Sequence, residues 1–210
     1  MIEGIGYRAA GACAARPLVF LHGIGGAARA FDPQLDYFSK THRVIAWDMP
    51  GYGRSTLPPQ PTIAAQADAC VRLLSGLQLD HPILAGHSIG GMIAQELQAR
   101  RLHSLGGLIL IATSAAFGSR DGAWQEAFIS ARLGPLDRGQ TLAALADGMV
   151  DSLVGDDPDP AGRAHARPHA RNDAVQVGEA ARQLGRSVHD RDLRLRHVLV
   201  GEAQCLPLRT

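Results

Sequence analysis

Apolar and polar positions along the chain fall into two alternating kinds of segment. Continuous apolar runs occupy Pro17–Leu21, Arg43–Trp47, Pro82–Ala85 and Leu105–Ala112. Runs this short, without polar alternation, predict strands covered on both faces. Between them, apolar residues recur at helical spacing. Phe31, Leu35 and Phe38 define a helix over Phe31–Ser39, and Ile63, Ala67, Cys70, Val71, Leu74 and Leu77 define one over Thr62–Leu79, with Thr62 as its N-cap. A third spans Ile89–Arg101 and closes on two basic residues, which suit a helix C-terminus. Residues Gly6–Ala10 add a short strand and Gly11–Arg16 a turn. Strands alternating with amphipathic helices predict an α/β fold, a mostly parallel sheet flanked by helices on both faces. In such a sheet, functional residues gather at the carboxyl ends of the strands. The turn at His22-Gly23, the loop from Asp48 and the turn at Ser88 all follow strand ends, so all three belong on one edge.

Beyond Ala112 the pattern changes. Trp124, Phe128, Ile129 and Leu133, then Leu142, Leu145, Met149, Val150 and Leu153, predict two helices separated by Gly134-Pro135. They form a cap-like region that ends in the proline-rich stretch Asp156–Pro160. Residues 161–197 hold eight arginines against four acids and no aromatic residue. Three readings of this stretch stand: a basic surface, a helical surface segment over Val175–Leu184, or a shifted or truncated reading frame in an arginine-rich, lysine-poor coding sequence. The expected division is a core over 1–112, a helical cap region over 113–160, and an atypical segment over 161–210 that ends in a remnant core strand.

Composition narrows the partners. The net charge is +1 and 20% of residues are charged, a balance that points to a small-molecule substrate and to neither nucleic acid nor a membrane surface. Cys13, Cys70 and Cys205 are odd in number and lack metal-type spacing, which favours a reducing compartment, the cytoplasm. Cys70 lies on an apolar helix stripe and is expected in the core. Met1–Gly4 carries no basic-then-apolar leader, and Leu105–Ala112 is too short to span a bilayer.

The candidate chemistry sits in Leu84-Ala85-Gly86-His87-Ser88-Ile89-Gly90-Gly91, where an apolar run breaks into Gly-x-Ser-x-Gly and then a helix. This is the sequence form of a strained strand-to-helix turn that projects a serine hydroxyl. The glycine cluster His22-Gly23-Ile24-Gly25-Gly26 follows another strand end and lets main-chain N–H groups face a cavity. With Asp48-Met49-Pro50-Gly51-Tyr52-Gly53-Arg54-Ser55 between them, these motifs resemble the α/β-hydrolase family over about the first 115 positions, in the family's order. The closest likeness is to its serine esterase and enol-lactone hydrolase branch. The resemblance implies Ser88 as nucleophile, and the backbone N–H groups of Ile24 and Ile89 as oxyanion hole. It makes Asp48 a loop anchor rather than a catalytic acid, and it sets His22 and His87 at motif positions rather than at the general base. It also implies hydrolysis of a small ester or lactone with no cofactor and no metal. Carbon–carbon bond hydrolysis and cofactor-free perhydrolysis on the same fold stay open.

The pattern departs from the family near the C-terminus. The stretch Val198-Leu199-Val200-Gly201-Glu202-Ala203-Gln204 places Gln204 where the family carries its acid, and an amide brings no charge to stabilise an imidazolium. Glu202 stands two residues before that position. No histidine stands at the family's position; His165, His169, His189 and His197 lack a sequence context that brings them to Ser88, and Pro168 between the first two argues against a metal pair. The expectation is a chain short of the family's last strand and helix. It would leave a sheet edge open to self-association, and a non-catalytic remnant that binds a ligand is the alternative to an active hydrolase.

Overall fold

The computed structural model describes residues 1–60, 62–115, 123–141, 144, 160 and 205–206. Strands β1 (Tyr7–Ala10), β2 (Pro17–Leu21), β3 (Arg43–Trp47), β4 (Ile83–His87), β5 (Gly107–Ile111) and β6 (Cys205–Leu206) form one sheet in the order β1-β3-β2-β4-β5-β6. The four central strands run parallel, β3 with β2, β2 with β4, and β4 with β5. β1 and β6 are antiparallel additions at the two margins.

The uninterrupted apolar strands follow from burial on both faces. Val19 and Leu21 of β2, Ile45 and Trp47 of β3 and Leu84 of β4 point into one hydrophobic cluster. Their neighbours Leu18, Phe20, Val44, Ala46 and Ala85 point into the other, the period-2 alternation of a strand placing successive side chains on opposite faces. Helices α2 (Ile63–Gly76) and α3 (Ile89–Ala99) cover the first cluster with Ile63, Ala67, Cys70, Leu73, Met92, Ile93 and Leu97. A 3-10 turn over Ala28–Phe31 and helix α1 (Asp32–Phe38) cover the second, where the Phe31 ring stacks on Phe20 at 4.8 Å. Cys70 is completely buried, and desolvation pushes its thiol pKa up to about 12. The α2 N-terminus is capped as the sequence predicts, the Thr62 hydroxyl accepting from the Ala65 N–H at 3.1 Å.

One expectation is corrected. Gly134-Pro135 does not separate two helices: α4 (Ala123–Asp137) runs through it and stops at Gly139, whose φ of +87° supplies the left-handed turn. Proline in the last turn removes one intrahelical hydrogen bond. Gly139 then lets the Gln140 N–H reach back to the Pro135 carbonyl at 3.0 Å, which closes the helix instead. Beside β5, Leu206 and Cys205 of the 161–210 segment pair antiparallel with Leu108 and Ile109. Apart from residues 144 and 160, the second half of the expected cap, the arginine-rich segment and Val198–Val200 lie outside the described residues. No described helix is long and apolar enough to cross a membrane.

Candidate active site

Three loops leave the carboxyl ends of β2, β3 and β4 and meet. His22 joins the first two: its Nε2 accepts from the Met49 N–H at 2.9 Å, which leaves Nδ1 to donate to the Gly23 carbonyl at 2.8 Å. With both ring nitrogens engaged and the side chain buried, His22 is a structural tie. Asp48 anchors the second loop. Its carboxylate accepts from the Ala28 N–H at 2.8 Å and from the Arg54 N–H at 3.3 Å, and the Arg54 guanidinium lies beside it at 3.4 Å. Ser55 extends the anchor by donating to the Asp48 carbonyl and accepting from the Gly6 N–H, which brings the N-terminal strand into the same network. The first loop also packs against the turn at Ser88. A Cβ added at Gly23 would come 3.0 Å from His87 Nδ1 and 3.2 Å from Ser88 Cβ.

Ser88 sits between β4 and α3 with φ +53° and ψ −122°, a conformation that L side chains rarely adopt. The surrounding glycines make it possible. A Cβ at Gly86 would lie 2.5 Å from the Gly90 carbonyl oxygen, and one at Gly90 would lie 2.2 Å from the Leu21 carbonyl oxygen. The turn is therefore as tight as a main chain allows, wedged between the ends of β2 and β4. Ser88 is the N-cap of α3, yet its side chain makes no capping hydrogen bond. Its backbone carries the interactions instead. The N–H donates to the Ile111 carbonyl at 2.9 Å, and the carbonyl accepts from Gly91 N–H at 2.9 Å, Met92 N–H at 3.3 Å and the Thr113 hydroxyl at 2.7 Å.

Of the other predicted site residues, Ile24 is 43% exposed on the first loop and Ile89 is buried at the first position of α3. Neither amide donates to another backbone carbonyl among the described residues. The His87 ring is exposed on one side and packed toward Gly23 on the other, and desolvation holds its pKa below the ordinary 6.5. His42, His81 and His103 bond elsewhere, to Thr41, Asp80 and the Leu79 carbonyl. No described histidine is bonded to Ser88. Gln204, Glu202, His165, His169, His189 and His197 lie outside the described residues.

Sequence reasoning missed the far wall of the turn. Ala112 adopts φ +45° and turns the chain after β5 so that Thr113 returns to Ser88, while the buried Gln95 of α3 donates to the carbonyls of Gly91 and Ser114 at 3.2 Å each. The available signal was a Thr-Ser pair directly after an apolar strand, a place where short hydroxyl side chains bond to nearby backbone.

Known proteins bear on this arrangement. A sequence profile of the alpha/beta hydrolase family matches residues 18–205. The (E)-2-((N-methylformamido)methylene)succinate hydrolase of Acinetobacter baylyi is 41% identical over 86 residues, 40% of this chain and 33% of that protein. The chain thus aligns with about a third of that relative's length. Among solved structures, a hydrolase from Pseudomonas aeruginosa superimposes with a TM-score of 0.74 at 25% identity, covering 91% of this chain and 71% of the other. The enol-lactonase from Burkholderia xenovorans does so with a TM-score of 0.70 at 24% identity, covering 92% and 74%, a likeness of fold.

Proposed function

Because this chain belongs to the alpha/beta hydrolase family, we propose that it is a serine hydrolase acting on a small ester or lactone, with Ser88 as nucleophile. One observation carries the reading. Ser88 is held in a strained backbone conformation by hydrogen bonds to its main chain, and among the described residues its hydroxyl makes no bond at the helix end it caps. Strain of this kind persists where the surroundings over-determine it, and it gathers at reacting residues. In the proposed reaction the Ser88 oxygen adds to the substrate carbonyl carbon, the alcohol leaves with a proton, and water then releases the acid from the acyl-enzyme. The amides of Ile24 and Ile89 would receive the developing oxyanion, supported by their lack of a backbone partner among the described residues and by their places on the two loops that touch at Gly23 and Ser88. The stacked Trp124 and Phe128 rings, 5.1 Å apart with Trp124 half exposed, support an apolar wall supplied by the 113–160 cap region. Names of relatives support the chemical class, including a putative carbamate hydrolase of Rhizobium rhizogenes, 32% identical over 99 residues, 46% of this chain and 38% of that protein. The free thiols of Cys13 and Cys70 support a cytoplasmic location.

A second reading, a non-catalytic member that keeps the pocket, is favoured by Gln204 at the acid position. A fluorophosphonate probe separates the two. The hydrolase reading expects stoichiometric labelling that disappears in Ser88→Ala, together with turnover of p-nitrophenyl acetate. Absence of both in a chain with a cooperative melt supports the second reading.

A further inference from the structure

Thr113 lies on the segment that leaves β5, 25 residues after Ser88 in sequence, and it belongs to none of the motifs that point to the site. Its hydroxyl donates to the Ser88 carbonyl at 2.7 Å. The same segment takes the other side of Ser88, since the Ile111 carbonyl accepts the Ser88 N–H at 2.9 Å. Both peptide groups flanking the strained residue are therefore gripped by one short stretch, and the left-handed Ala112 between the two grips makes them simultaneous. Gly91 leaves the space for it: a Cβ there would lie 2.5 Å from Thr113 Cγ2.

The Ser88–Ile89 peptide is trans and planar, so its C=O and N–H point in opposite directions from one rigid group. The Gly91 and Met92 amides approach that carbonyl as the first turn of α3, and Thr113 adds a third donor from outside the helix. A donor that fixes the direction of the carbonyl fixes the direction of the N–H at the other end. By polarising the amide it also makes that N–H a stronger donor, as hydrogen bonds in a chain reinforce one another. We infer that Thr113 is a positioning residue: by holding the Ser88 carbonyl, its hydroxyl aims and strengthens the Ile89 N–H toward the substrate oxygen. This rests on the reading of Ser88 as nucleophile. Thr113 touches no reacting atom, and its effect is expected where the oxyanion forms, in the rate of attack rather than in substrate binding.

The test compares wild type, Thr113→Val, which keeps the shape and loses the hydroxyl, and Thr113→Ser, which keeps the hydroxyl. Protein labelled with 15N-isoleucine reports the Ile89 amide, with the Ile24 amide as internal control, and fluorophosphonate labelling reports attack by Ser88. Thr113→Val is expected to move the Ile89 resonance, leave Ile24 in place and slow labelling about tenfold, less than outright removal of an oxyanion donor. Thr113→Ser is expected to restore both readouts. If Thr113→Val does not fold, Thr113→Ala, which crowds Gly91 less, carries the same expectation. An Ile89 resonance unmoved by loss of the hydroxyl, or moved equally by Thr113→Ser, overturns the inference. Where wild type labels, a Thr113→Val labelling rate equal to it does so too. A wild type that does not label while Ile89 responds as expected overturns the proposed function and upholds the positioning role.

Discussion

Glycine at positions 86 and 90 and serine at 88 form a mutually dependent set. The strained Ser88 backbone needs the β2 and β4 ends to come within contact of α3, and only hydrogen at positions 86 and 90 fits there. Gly90→Ala would place a methyl 2.2 Å from the Leu21 carbonyl oxygen, main chain that cannot swing aside. It is expected to cost about 3 kcal/mol, read as a lowered urea midpoint at unchanged slope. His87 gives a second test at this scale. Its folded pKa lies below the 6.5 it regains on unfolding, so the unfolded chain binds more protons in the window beneath 6.5. Its contribution is then full above 6.5 and is lost as pH falls toward the folded value. As pH falls through that window, the Tm of wild type should drop relative to that of His87→Gln, and parallel curves from pH 7 down to 5 would exclude the effect. At this scale the sequence displayed the glycines and the serine because each is a residue type forced by sterics. Thr113 and Ala112 stayed hidden because any residue can occupy the left-handed position at a cost, and a threonine after a strand is common.

The strands and α2 were legible to within a few residues, since both-face burial leaves an apolar run with sharp ends. Thr62 was legible as a cap for a separate reason, its hydroxyl being the last polar group before an apolar helix. Thr62→Ala should lower stability by about 1 kcal/mol in chemical denaturation, with the fold and the Ser88 turn unchanged. Where reading failed, a local signal had two outcomes. Proline within helix-forming sequence ends or merely weakens the helix according to how many turns follow it, and at Pro135 less than one turn follows before Gly139. The antiparallel direction of β1 was equally unreadable, because Tyr7–Ala10 pairs with Trp47–Val44 through backbone bonds that carry no side-chain signature.

At the scale of the fold, two apolar layers share the sheet and, among the described residues, are unequal: the layer under α2 and α3 holds more of the buried residues than the layer under α1. Cys70 lies fully buried in the larger one, and Cys13 is exposed. A thiol reagent should therefore modify Cys13 at once and Cys70 only at the rate of global opening, as peptide mapping after timed quenching would show; early reaction at Cys70 would mean that α2 opens separately. The strand order adds a consequence for the growing chain. β2 finds β3 soon after synthesis, yet its other neighbour, β4, begins roughly 60 residues later, an interval of about 3–12 s at cellular elongation rates. For that time the future middle of the sheet is an unpaired apolar margin beside the ribosome. The nascent chain is thus most exposed to chaperones and to its own neighbours before Ile83 emerges, and a pause in translation upstream of β4 would lengthen the interval in which β2, covered on both faces in the finished sheet, is in the open.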